Sequence, residues 1–346
     1  MSKAREVAKM GEVLTNSQIG GRRNLIQNPK MAIAQRGTSS SGVTSSTYIV
    51  DRFLVNMSSL GTWTISQSTT APDGFSNSLK YDCTTADASP SSGDYLQLKQ
   101  RIEAQDLQQL KYGTSSAETV TISFYVRSNK TGTYILEILQ SDGSNRHRGA
   151  SYTINSADTW EQKVITFTGD TSGVIDNDNG TGLELTWWLG AGSSYSSGTL
   201  QTDWGTLSQT DRAAGNVNLA DSDTNEWYIT GVQMEVGSYP NGTPFEHRSF
   251  GEELALCQRY YCKITGATDN HRLYATSTST HHMAHHSFPV TMRATPTASE
   301  LTAPTVLNCG SLTPNMSTTN VAFRLNPSGT GAYYAKGYVY EFASEL

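Results

Sequence analysis

From Tyr48 to about Val236 the chain alternates hydrophobic and polar positions in short runs, each closed by Gly, Ser, Asn or Asp. A period of two puts successive side chains on opposite faces of a strand, so these runs predict half-buried strands joined by turns. The clearest are Tyr48 to Asn56, Ser78 to Thr84, Tyr95 to Arg101, Thr119 to Ser128, Thr133 to Gln140, Trp160 to Thr168, Leu183 to Leu189 and Glu226 to Glu235. Such a series builds an antiparallel sandwich, and this many strands suit a jelly roll. One or two helical turns are expected at Glu103 to Leu110. Residues 190–225 read as a long Gly/Ser-rich loop, of a length that is usually functional or disordered.

Two segments carry a helical period instead. Residues 2 to 14 place Ala4, Val7, Ala8, Gly11 and Leu14 on one face, a narrow small-residue stripe that needs an outside partner to stay folded. Ser249 followed three residues later by Glu252 is a capping-box signal, and Phe250, Leu254, Cys257 and Tyr261 then recur at helical spacing. A second set of strand patterns follows at Arg272 to Thr278, Ser287 to Arg293, Val321 to Asn326 and Ala332 to Phe342. The expected organisation is an attachment helix in residues 1–23, a linker and first extended segment in 24–47 and a jelly roll in 48–247. A connecting helix with a smaller C-terminal β domain completes it in 248–346. The fold class is mainly β.

Composition narrows the function. Only 16% of the 346 residues are charged and the net charge is −6, so no cationic field exists to hold nucleic acid or an acidic membrane surface. No apolar run is long enough to span a bilayer, and the charged first residues do not form a signal peptide, which points to folding in a cytoplasm. Cys83, Cys257, Cys262 and Cys309 follow neither a metal-binding nor a disulfide-scaffold spacing and read as buried free thiols.

The segment EWYITGVQMEVGSYPNGTPFEHRSFGEELALCQRYY (226–261) resembles one that recurs in tail-fibre and related virion proteins of tailed bacteriophages, many of them marine. The likeness extends to NLIQNPKMAIAQRG (24–37), YIVDRF (48–53), FPVTMRATPT (288–297) and the terminal EFASEL. The resemblance implies a carbohydrate-binding-module-like jelly roll, a small C-terminal β domain and a homotrimer on the virion surface. The partners would be other virion proteins, engaged through the N-terminal segment, and host surface glycan. A tail fibre or receptor-binding subunit is the leading expectation; a head fibre or capsid decoration protein and a polysaccharide depolymerase are the alternatives.

Sugar-binding sandwiches stack aromatic faces on pyranose rings and read hydroxyls with short polar groups. Trp187, Trp188, Tyr195 and Trp204 are the candidates: alternation turns one of the adjacent tryptophans away from the core, and the other two aromatics lie in the long loop. In HHMAHH, His281 and His285 would share one strand face and could ligate a metal across a threefold axis; His282 and His286 would share the other. DNDNG, with Asp176 and Asp178, has the composition of a calcium loop without its spacing, and an Asx turn is the simpler reading. Arg146, His147 and Arg148 read as a solvated turn after Gly143. No nucleophile elbow, zinc-protease or phosphate-loop motif occurs, so no enzyme activity is expected.

Overall fold

The computed structural model describes residues 23–142, 145–266, 282–328 and 334–346. The expected attachment helix with Ala4, Val7, Ala8, Gly11 and Leu14, the strand expected at 272–278, and His281 lie outside these residues.

Eleven strands form one hydrogen-bonded ladder in the first part of the chain: β1 (Ser39–Tyr48), β2 (Leu54–Ser68), β3 (Ser78–Thr85), β4 (Tyr95–Glu103), β5 (Val120–Ser128), β6 (Gly132–Gln140), β7 (Arg146–Ile154), β8 (Glu161–Phe167), β9 (Thr181–Ala191), β10 (Gly205–Thr206) and β11 (Glu226–Val236). Their order is β10-β7-β6-β9-β4-β2-β3-β11-β5-β8, every pairing is antiparallel, and β1 lies against β2. The ladder folds back on itself: Phe124 of β5 meets Trp187 of β9 at 5.7 Å and Tyr152 of β7 at 5.1 Å, although those strands never pair with β5. The result is a jelly-roll-type sandwich with Trp63, Tyr81, Phe124, Trp187 and Trp227 in its core.

The long β2 joins the two layers. Its first half pairs with β4 and its second half with β3, and the change of partner falls at Ser59 and Gly61, whose φ angles are 53° and 74°. A Cβ at Gly61 would stand 2.8 Å from the Thr85 carbonyl oxygen. The substitution Gly61→Ala is therefore expected to destabilise the sandwich by about 1–3 kcal/mol. Urea denaturation checks this, and an unchanged midpoint would mean that the strand can bend elsewhere.

Three sequence expectations change here. Residues 39–47, inside the segment expected as linker and first extended stretch, form β1 with Tyr48 because an edge strand with mostly exposed positions tolerates Ser and Thr. The expected strand Tyr48 to Asn56 is broken by a turn at Ile49–Phe53, with Arg52 at φ 70°. Arg146–Arg148, read as a turn, opens β7 and buries His147 completely. The expected helical turns at 103–110 form as a 3-10 helix, Ala104–Leu110.

The helix Phe250–Gln258 leads to the smaller domain, and Ser249 caps it by accepting a hydrogen bond from the Glu252 N–H. Cys257 is buried, but Phe250 is 60% exposed and does not join the packed face. The domain is built from β12 (Tyr261–Thr265), β13 (His282–Ser287), β14 (Thr297–Thr302), β15 (Thr305–Leu307), β16 (Cys309–Met316), β17 (Asn320–Pro327), β18 (Tyr334–Lys336) and β19 (Val339–Ala343). They form three small sheets, β12-β19-β14, β13-β17-β16 and β15-β18, over a core of Phe288, Phe323, Tyr338, Tyr340 and Phe342. The strand expected at 287–293 lies earlier, as β13, and the one expected at 332–342 is split into β18 and β19. All four cysteines are free and buried.

Candidate functional site

Cross-strand register sets out the outer face of the layer β2-β4-β9-β6-β7. One row runs Asn56, Gln97, Trp188, Ile135, Ser151; the next Leu54, Lys99, Thr186, Glu137, Gly149; the third Arg101, Glu184, Leu139, His147. Period-two alternation thus turns a largely polar set outward while Leu98, Leu185, Trp187 and Leu136 face the core.

The loop after β9 closes over one end of this face. The Gly149 N–H donates to the Gln201 carbonyl, and Leu200 lies where a Cβ on Gly149 would stand, at 2.8 Å. Ile135, Trp188 and Ala213 form a separate buried cluster with Tyr95, Ala191, Tyr195 and Leu200 packed against it. Beneath the loop, Glu137 is the hub. Its carboxylate accepts from His147 Nδ1 at 2.8 Å, Trp188 Nε1 at 3.0 Å, Arg212 Nε at 2.8 Å and Arg212 Nη2 at 2.9 Å. Arg212 also lies 5.1 Å from the Trp188 ring centre. Burial opposes ionisation of Glu137, yet the His147 hydrogen bond and the Arg212 charge outweigh it and hold the carboxyl at about 2. Glu184 repeats the pattern: burial opposes its charge, and Lys99 and Arg101, each 2.7 Å away, draw it below the usual range.

The four aromatic candidates are not brought together. Trp187 and Trp188 do face opposite sides of β9, but both are 0% exposed, Trp187 in the core and Trp188 under the loop. Neither offers a ring face to solvent. Trp204 packs edge-on against Tyr112 at 5.7 Å and donates Nε1 to the carbonyl of Thr168, whose hydroxyl accepts from Arg148, so it fills the sandwich edge there. Tyr195 remains half-exposed at the loop margin. Trp188 supports it at 5.5 Å and Tyr95 meets it edge-on at 5.5 Å. Tyr95 was missed from the sequence, although its place at the head of an alternating run facing the loop was the available signal.

The metal candidates are equally dispersed. His285 is exposed, while His286 turns inward against Phe323 and reaches the Tyr338 hydroxyl at 3.3 Å. Asp178 accepts from the Gly180 N–H in an Asx turn, and Asp142 accepts from the Asp176 N–H. Among the described residues no three His, Cys, Asp or Glu side chains converge as a metal site.

The stretches that carried the sequence resemblance meet at the junction between the domains. Asn24 bonds to Val232 and Met234 of β11, and Asn28 N–H donates to the buried Glu253 of the connecting helix. Arg52 stacks 3.4 Å over the Tyr260 ring and pairs with Glu345; Arg293 donates to the Ser344 and Glu345 carbonyls. Glu103 of β4 receives Arg259 through two 2.7 Å bonds and the Tyr260 hydroxyl. These contacts hold the two parts of the chain together.

No protein-family model matches the chain, and no curated protein does. Among solved structures it is similar to the enzymatically active domain of tailspike protein 4 of bacteriophage CBA120, at 12% identity and a TM-score of 0.33, over 62% of this chain and 21% of that one. It is also similar to a putative sugar binding protein from Bacteroides thetaiotaomicron (15% identity, TM-score 0.35, 62% of this chain and 100% of that one). A third is the family 11 carbohydrate-binding module from Clostridium thermocellum, solved with a β-1,3-1,4-mixed-linked tetrasaccharide (10% identity, TM-score 0.29, 61% and 99%). This likeness reaches no further than β-sandwich architecture, which the strand register establishes by itself.

Proposed function

We propose that the chain is a non-enzymatic adhesion subunit of a tailed-bacteriophage particle, holding host surface glycan at the loop margin of its sandwich. The carrying observation is the half-exposed pair Tyr95 and Tyr195, meeting edge to face at 5.5 Å over a buried tryptophan. Ring orientation is fixed in advance there, so stacking on a sugar costs little ordering entropy. Asn56, half-buried beside Tyr95 in the register and held by a 2.6 Å hydrogen bond to the buried Gln97, supplies a polar group for hydroxyls. The virion setting comes from the sequence resemblance.

A depolymerase needs a protonated carboxylic acid opposite a second carboxylate. Glu137 and Glu184, the acidic pair on this face, are both ion-paired and held ionised, which suits a fixed framework. Such a surface would bind weakly per copy and gain from several copies on one particle.

Two measurements test the reading. The double variant Tyr95→Ala/Tyr195→Ala is expected to keep the melting temperature within a few degrees and lose about tenfold in affinity for the host polysaccharide. Incubation with that polysaccharide should release no new reducing ends. Immunogold labelling of intact particles should place the chain on tail fibres; label on the head would favour the head-fibre alternative, and unlabelled particles would remove the virion role altogether.

A further inference from the structure

The outer face of the opposite layer, β3-β11-β5-β8, holds a second arrangement, lined by no residue of the loop after β9. Its register places Thr230, Tyr125 and Gln162 side by side across β11, β5 and β8, with Ser123 two positions along from Tyr125. Gly231 sits at an irregularity in β11 with φ 61°, and a Cβ there would stand 2.7 Å from the Phe75 ring and 3.0 Å from the Tyr125 ring. The missing side chain is what lets those two rings lie down on the sheet.

The chain after β11 then arches over this spot and is tied in place. Tyr239 N–H donates to Thr121 Oγ1 at 3.0 Å, and Thr243 Oγ1 donates to Glu235 at 2.5 Å. Beneath the arch is a cavity of about 320 Å³ lined by Ser123, Tyr125, Gln162, Asn241, Thr243 and Phe245, with the Gly231 backbone in its wall. The aromatic side of the cavity is braced: Phe75 contacts Tyr125 at 5.4 Å and Phe245 at 4.9 Å, and His247 closes the group at 4.8 Å from Phe245. Phe75, Tyr125 and Phe245 are all half-exposed, and the side chains of Gln162 and Asn241 are exposed at the opening. The cavity lining carries no charged side chain. Arg127, two residues from Tyr125 on the same strand, is already paired with Asp158 at 2.8 Å.

Braced rings, the amides of Gln162 and Asn241 and the Ser123 hydroxyl within one neutral hollow are the chemistry that recognises an uncharged pyranose. An anionic sugar or a phosphate would meet no unpaired cation in the lining, and a hydrophobic peptide would leave the amides without partners. We propose that this hollow is a second carbohydrate site, selective for a neutral hexose unit. Resting on the glycan-binding reading above, this gives one chain two sites on opposite faces of its sandwich. Two grips per chain would let a subunit bridge neighbouring glycan strands, with the avidity that follows from linked binding.

The test is isothermal titration of the full chain with maltohexaose, laminarihexaose and galactohexaose, and with a galacturonate hexamer as the anionic probe. The expected result is two neutral oligosaccharides bound per chain. The double variant Gln162→Ala/Asn241→Ala, both at exposed positions, should weaken one of the two sites by about tenfold while leaving the melting temperature unchanged. The variant Tyr95→Ala/Tyr195→Ala should weaken only the other. One bound sugar per chain that is insensitive to Gln162→Ala/Asn241→Ala overturns the second site and leaves the first standing. One bound sugar that is lost in Gln162→Ala/Asn241→Ala, but not in Tyr95→Ala/Tyr195→Ala, supports the second site and removes the first. Binding of the galacturonate hexamer alone, or of none of the four, overturns the neutral-hexose assignment.

Discussion

Replacing Glu137 by Ala should cost about 3–5 kcal/mol, because it leaves the Arg212 guanidinium buried without its counter-charge and strips partners from His147 and the Trp188 indole. For a domain of this size that corresponds to a fall in melting temperature of about 10 °C. Part of the loss should be local, since Arg212 and Ala213 anchor the loop over Trp188. Trp188 fluorescence should therefore shift to the red, and the loop should become open to proteolysis. Glu137→Gln separates charge from shape: it keeps the volume and one acceptor but leaves Arg212 uncompensated.

The same carboxylate predicts a pH dependence. Its folded value is about 2 against an ordinary 4.5, so the folded state binds fewer protons, and the stabilisation is fully present above about pH 4.5. It is lost as pH falls from there toward 2, and amounts to something on the order of 3 kcal/mol. The stability gap between the native chain and Glu137→Gln should accordingly be constant above about pH 4.5 and narrow as pH falls from there toward about 2. A gap that stays constant, or a Glu137→Ala variant as stable as the native chain, would show that the cluster does not hold the loop.

The second large effect is expected at the domain junction. Glu103 is fully buried and receives Arg259, the Tyr260 hydroxyl and the Gln105 amide, and these partners draw its carboxyl below the usual range against the opposing effect of burial. Glu103→Ala should cost about 3 kcal/mol through the stranded Arg259 charge and the Tyr260 hydroxyl left without an acceptor for its proton. More tellingly, it should divide the melting behaviour. The native chain should unfold in one calorimetric transition because the segment after Asn24, the connecting helix and the C-terminal residues all cross between domains. Without Glu103 the smaller domain should melt first, as a separate lower peak. A single peak at the native temperature would place the coupling in the Arg52–Glu345 and Asn28–Glu253 contacts instead.

Alternation read along the chain located most of the sandwich strands to within two residues, because strands buried on one face must obey the period of two. It found the capped helix at Phe250–Gln258 for a similar local reason: Ser249 satisfies a backbone N–H three residues on. It failed at β1, at β7 and over most of β2, of which only Leu54–Asn56 lay inside an expected strand. Ser and Thr in 39–47 look like linker until β2 offers its edge, and Arg146–Arg148 looks like a turn until Glu137 takes His147 and Asp170 takes Arg146. Charged side chains enter a buried strand only when partners distant in sequence neutralise them.

The candidate site shows the same division. The sequence by itself determined that β9 carries one tryptophan on each face, that the loop after it is rich in small polar residues, and that the chain is mainly β. Only the tertiary structure decided that the loop folds down over Trp188, that Tyr95 joins Tyr195, and that the aromatic hollow at Gly231 lies on the other layer. Local spacing fixes which face a side chain takes, because that depends on the neighbouring residues alone. Whether that face is open or covered depends on pairings across more than a hundred residues, such as Leu25 with Met234 or Arg259 with Glu103, and these no local period encodes.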